Sequence, residues 1–106
     1  MRPAEDRSVE DNAAEGRFEM AVGDALTFIA YRREGDRIAL IHTEVPEAHE
    51  GKGIGTTLIR YALNAARERG LKVIPICPFF AAYMQKNADV KDLLDPAWRI
   101  KLGLQP

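Results

Sequence analysis

The segment Glu50-Gly51-Lys52-Gly53-Ile54-Gly55-Thr56-Thr57 sets three alternating glycines and one lysine ahead of a helical apolar period. Glycine admits positive φ and lets a ligand approach the backbone. A helix start presents unpaired N–H groups and a partial positive charge, and Lys52 adds a full one, so the segment suits an anion such as a pyrophosphate. Neither of the better-known phosphate motifs fits. A Walker loop needs Gly-Lys-Ser/Thr, whereas Gly53 follows Lys52, and a dinucleotide fingerprint needs glycine where Thr56 stands. Downstream, Lys52, Arg60, Arg67, Arg69 and Lys72 face only Glu68 in opposite charge, a patch suited to further phosphates. Cys77, His42 and Glu44 are the other reactive side chains at informative positions.

Such a loop needs a strand before it and a helix after it. Ile54, Leu58, Tyr61, Ala62, Ala65 and Ala66 recur at helical spacing until Gly70, a C-terminal cap. Upstream, Phe18, Met20 and Val22 alternate before a Gly23-Asp24 turn, and residues 25–33 and 37–45 flank Glu34-Gly35-Asp36. The pattern predicts three antiparallel strands in a meander. Leu71 to Ile76 follows the helix almost without a loop and should return parallel beside the third strand, a right-handed βαβ unit. Pro78 opens a short helix over Phe79 to Asn87, Asp89 to Leu94 suits another turn or two, and Trp98, Ile100 and Leu102 alternate as a last strand. The expected fold class is α/β (α+β): a mixed sheet of about five strands with a βαβ unit and one or two short C-terminal helices. Phe79, Phe80 and Trp98 read as core aromatics.

A chain of 106 residues, 46% hydrophobic and 29% charged, predicts one compact domain. Residues 1–16 hold Arg2 and Arg7 against five acidic residues and show no hydrophobic period, which predicts a disordered acidic tail before a single domain over 17–106. A net charge of −1 argues against a surface that tracks a nucleic-acid backbone. With Cys77 alone there is no internal disulfide, and two distant histidines do not complete a metal site. The apolar runs are too short for a membrane span and the N-terminus is too polar for a signal peptide, so a cytoplasmic location is expected.

The loop Glu50-Gly51-Lys52-Gly53-Ile54-Gly55 resembles the pyrophosphate loop of the GCN5-related N-acetyltransferases, Gln/Arg-x-x-Gly-x-Gly/Ala, with Glu50 standing where that family prefers Gln or Arg. Together with His42-Thr43-Glu44-Val45-Pro46, Val73-Ile74-Pro75-Ile76-Cys77-Pro78-Phe79 and Tyr83, it is similar to the minimal members of that superfamily over about residues 17 to 95. The resemblance implies a minimal acetyltransferase fold, acetyl-CoA as cosubstrate without a metal, and an amine as acceptor. It implies coenzyme contacts at Val45, Gly51, Lys52, Gly53, Ile54, Gly55 and Thr56, and it makes Tyr83 the general acid for the departing thiolate.

The reactive side chains keep alternative readings. Cys77, at the C-terminal end of a βαβ strand and before a helix, is either a nucleophile carrying an acetyl group or a small pocket wall. His42, on the neighbouring parallel strand, is a base for Cys77 or for the acceptor amine, or a histidine without a catalytic role. Glu44 shares the His42 face by strand alternation and orients the imidazole, takes the proton itself, or is a solvated carboxylate. His49 reads as a solvated loop residue, and Tyr83 is alternatively a packing ring. Besides an N-acetyltransferase, the residues admit a non-catalytic CoA or acyl-CoA binding module, and a small RNA binder using the basic helix face.

Overall fold

A computed structural model of the chain describes residues 9–47 and 53–103. Five strands form one sheet in the order of the chain: β1 (Glu10–Asn12), β2 (Arg17–Val22), β3 (Ala25–Glu34), β4 (Arg37–Glu44) and β5 (Lys72–Pro75). The first four run antiparallel, and β5 lies parallel to β4 after the crossover helix α1 (Ile54–Glu68). The meander, the helix and the returning strand therefore match the sequence pattern. Gly70, at φ +69°, ends α1, with Leu71 N–H donating to Ala66 O and Gly70 N–H to Arg67 O, the paired bonds of a Schellman cap. Beyond β5 come α2 (Pro78–Lys86), a 3-10 segment (Ala88–Leu93) and α3 (Pro96–Lys101).

The core lies between one sheet face and the helices. Phe18, Met20, Ile29, Ile38, Leu40 and Val73 from the strands pack with Leu58, Ile59 and Ala62 of α1 and with Phe80 and Met84 of α2. Both main helices therefore cover the same face. The other face holds Leu26, Phe28 and Ala30 beside Arg17, Glu19, His42 and Glu44. There the guanidinium of Arg17 lies 5.0 Å from the Phe28 ring centre and 2.6 Å from Glu19.

Two expectations change. Of the acidic tail expected over residues 1–16, residues 1–8 lie outside the described residues, while Glu10–Asn12 form β1, because residues far along the chain bind it. The Tyr31 hydroxyl donates to Asp11, Arg69 at the C-cap of α1 lies 2.9 Å from the same carboxylate, and Asn12 Nδ2 donates to Glu19. Ordering backbone costs about 1–2 kcal/mol per residue, and these bonds together with the ladder to β2 offset it. Burial, then the bond to Asp11, pushes the Tyr31 hydroxyl up to about 12. The strand expected at Trp98, Ile100 and Leu102 is instead α3. Asp95 caps it by accepting from Ala97 N–H, Pro96 fills the first turn, and Ile100 is left 74% exposed.

Candidate active site

The sheet opens where β4 outlasts β5. Pairing runs from Arg37↔Lys72 to Leu40↔Pro75, and Pro75 has no N–H with which to continue the ladder. Ile76 N–H turns back to Ile74 O, and Cys77 N–H makes a last bond to Leu40 O at 2.9 Å. Residues 41–44 of β4 continue without a β5 partner, leaving backbone groups along one side of the gap.

The start of α1 stands beside this gap. Gly53 is its N-cap at φ +77°, a left-handed conformation that glycine adopts without strain, and its carbonyl accepts the first helical bond from Thr57 N–H. Among the described residues no side chain caps the helix, and no acid lies in its first turn. The N–H groups of Ile54, Gly55 and Thr56 precede the first intrahelical bond and have no acceptor among the described residues, the condition for binding an anion. Gly51 and Lys52, with Glu50 and His49, lie outside the described residues.

Cys77 is the N-cap of α2, 6% exposed, with its Sγ 3.6 Å from Thr43 Oγ1. Thr43, which the sequence reading passed over, is thus the β4 side chain that meets the thiol. His42 is not. The β3–β4 register pairs Ala30 with His42 but Tyr31 with Leu40, so Ile41 is an extra residue, a β-bulge. Beyond it Thr43 lies opposite the buried Ile29, on the helix side, while His42 and Glu44 lie opposite Ala30 and Phe28, on the open face. The expectation that His42 reaches Cys77 is corrected by that bulge. On the open face, His42 Nε2 is 2.8 Å from Glu44 Oε1, and its ring stands edge-on to Phe28 at 6.3 Å. The shared face expected for His42 and Glu44 is observed.

Tyr83 belongs to neither of these pairs. It lines a groove of about 300 Å³ between α1 and α2 with Arg60, Leu63, Asn64, Asn87, Asp89 and Val90. Asn87 Nδ2 donates to the Tyr83 carbonyl, and among the described residues the Tyr83 hydroxyl has no hydrogen-bond partner. Val45 follows β4 and packs partly buried against the core. Phe79, read as core, is 46% exposed in the first turn of α2, against Gly55, whereas Phe80 is fully buried. Among the described residues no helix is long and apolar enough to cross a membrane.

Known proteins share this arrangement. A sequence profile of the GCN5-related N-acetyl-transferases matches residues 17–93, which takes in β2 to β5, α1, α2 and the 3-10 segment. Protein NATD1 of Gallus gallus is 38% identical over 60 residues, 56% of this chain and 54% of that protein. Streptothricin acetyltransferase of Streptomyces lavendulae is 38% identical over 61 residues, 44% of this chain and 32% of the enzyme. The match thus spans about half or less of these curated relatives. A GCN5-like protein of Staphylococcus aureus, solved in solution by NMR, superimposes with a TM-score of 0.67 at 27% identity, covering 83% of this chain and 87% of that one. By the profile match and the shared fold, the chain belongs to the GCN5-related N-acetyltransferase family.

Proposed function

We propose that the protein transfers an acetyl group from acetyl-CoA to an amine. The observation that carries this reading is the start of α1, where Gly55 meets Val45 just past β4 and Phe79 just past β5, at the gap where the two strands part. An anion-binding helix start next to unpaired strand backbone suits a ligand with a pyrophosphate at one end and a thioester carbonyl, polarised by strand N–H groups, at the other. Gly53, Ile54, Gly55 and Thr56 would hold the pyrophosphate, joined by Gly51 and Lys52, and Val45 would border the arm. The acetyl group is supported by family membership and by the acetyl transfer that the name of the Streptomyces relative states.

Direct attack is the route the geometry supports better than an acetyl-Cys77 intermediate. The polar side chain within reach of Sγ is Thr43, while the imidazole lies across the sheet, paired with Glu44. An amine arriving from the open face would give its proton to His42, oriented by Glu44, as its nitrogen bonds to the thioester carbon and the carbon–sulfur bond breaks. Tyr83, on the helix side with a hydroxyl that has no partner among the described residues, is the candidate to return a proton to the coenzyme thiolate. Cys77 and Thr43 then form the wall beside the thioester.

Thermal unfolding with and without acetyl-CoA, followed by thiol release against an amine panel, tests the reading. A rise in melting temperature and amine-dependent thiol release are expected. His42→Ala should cut kcat by on the order of a hundredfold, while Cys77→Ala keeps most of it. An acetylated Cys77 peptide with an inactive Cys77→Ala variant would replace direct attack by the covalent route. Coenzyme binding without thiol release would make the protein a binding module.

A further inference from the structure

The glycines of the loop do not share one task. Gly53 needs its freedom for φ +77°, and a Cβ there would meet nothing within 4 Å. Gly55 is the reverse. It has no positive φ, yet a Cβ built on it would lie 2.9 Å from Cε2 and 3.2 Å from Cζ of Phe79, and 3.8 Å from Cγ2 of Val45. The missing side chain therefore makes room for a ring of this same chain. Phe79 sits in the first turn of α2, just beyond Cys77, and its ring rests on the first turn of α1. One edge of the ring lies against Gly55, which Val45 also borders, yet Phe79 as a whole stays 46% exposed, so a large apolar surface held by a tight seat is left facing outward.

We infer that Phe79 is a positioning residue for the coenzyme: seated on Gly55, its exposed part is the apolar wall along which the arm of the thioester runs from the α1 start towards Cys77 and Thr43. The inference rests on the acetyl-CoA reading above and adds to it the residue that discriminates a full coenzyme from a truncated thioester. The segment between pyrophosphate and thioester is a chain of methylenes and amides. Such a chain gains from an apolar surface fixed in advance, because less conformational freedom is then lost on binding. Gly55 matters in this scheme through the ring it seats.

The test compares acetyl-CoA with S-acetyl-N-acetylcysteamine, which carries the thioester but ends before the pyrophosphate. In Phe79→Ala, the Kd and KM for acetyl-CoA should rise about tenfold with kcat little changed, and kcat/KM for the short thioester should stay as in the wild type. Phe79→Leu should restore part of the affinity. Gly55→Ala should weaken acetyl-CoA binding by displacing the ring, and the double variant Gly55→Ala/Phe79→Ala should be no weaker than Phe79→Ala alone. Circular dichroism confirms the fold of each variant, and Phe79→Leu carries the comparison if Phe79→Ala unfolds. Acetyl-CoA affinity within twofold of wild type in a folded Phe79 variant overturns the inference. So do additive Gly55 and Phe79 effects, or equal losses for both thioesters. Failure of the wild-type protein to bind acetyl-CoA would instead remove the reading on which the inference rests.

Discussion

The two ends of α1 are built in opposite ways. At its C-terminal end, Arg67 makes two bonds to the Asp92 carboxylate and one to the Asp89 carbonyl, Arg69 reaches Asp11, and Gly70 closes a Schellman cap. Every one of those contacts is intramolecular. Among the described residues the N-terminal end has neither a capping side chain nor an acid in its first turn, although α3, much shorter, is capped by Asp95. A cap adds about 1 kcal/mol. Leaving one end of the longest helix without it, while stapling the other, keeps the donors of the first turn open to an outside anion and lets the far end carry the stability.

The contrast is open to direct attack. Gly53→Val forces a β-branched residue into a left-handed conformation at a cost of about 1–2 kcal/mol and shifts the donors of the first turn. Calorimetry should show acetyl-CoA affinity reduced tenfold or more, in a protein that remains folded. At the stapled end the opposite result is expected. Deleting residues 2–15 removes β1 and with it the Tyr31 and Arg69 bonds to Asp11. The melting temperature should fall on the order of 10 °C, with acetyl-CoA affinity unchanged.

Alkali probes the same end more gently. The Tyr31 hydroxyl is raised to about 12 in the folded protein, against 10.0 for a free tyrosine, by burial first and then by Asp11. Above pH 10 the unfolded chain loses that proton while the folded one keeps it. The stability from this group is therefore complete below pH 10 and lost as pH climbs towards 12. Melting curves over that range should fall less steeply for Tyr31→Phe. The smallest effect belongs to Asp92→Asn. Hydrogen bonding to Arg67 holds the Asp92 carboxyl below its usual value, so this pair contributes above the ordinary carboxylate range and is lost as pH falls through the lowered value. Both side chains are largely exposed, and the wild-type advantage in melting temperature should be slight and disappear in high salt.

Much of this arrangement was readable from local pattern. The helical period from Ile54 to Ala66, the glycine at residue 70 and the alternation of Phe18, Met20 and Val22 depend on neighbours a few residues away, and those elements formed where they were expected. β1 did not announce itself, because Glu10, Asp11 and Asn12 are polar and gain their order from Tyr31 and Arg69. α3 was masked by an apolar alternation that the Asp95-Pro96 start overrules. At the site, the glycine start of α1 was plain, while the meeting of Thr43 with Cys77 was hidden. Counting regularly from the buried Leu40 puts His42 on the helix side, and only pairing with β3 reveals that Ile41 is one residue too many.

That single surplus residue has a consequence for how such proteins diverge. In a strand, identity and parity are separate heritable traits: a lineage can keep histidine, threonine and glutamate in the same order and still exchange which of them meets the thiol, merely by gaining or losing the kink at Ile41. Chains that align perfectly across His42-Thr43-Glu44 can therefore set different side chains against the thiol. Chains that differ there by a one-residue gap can set the same one.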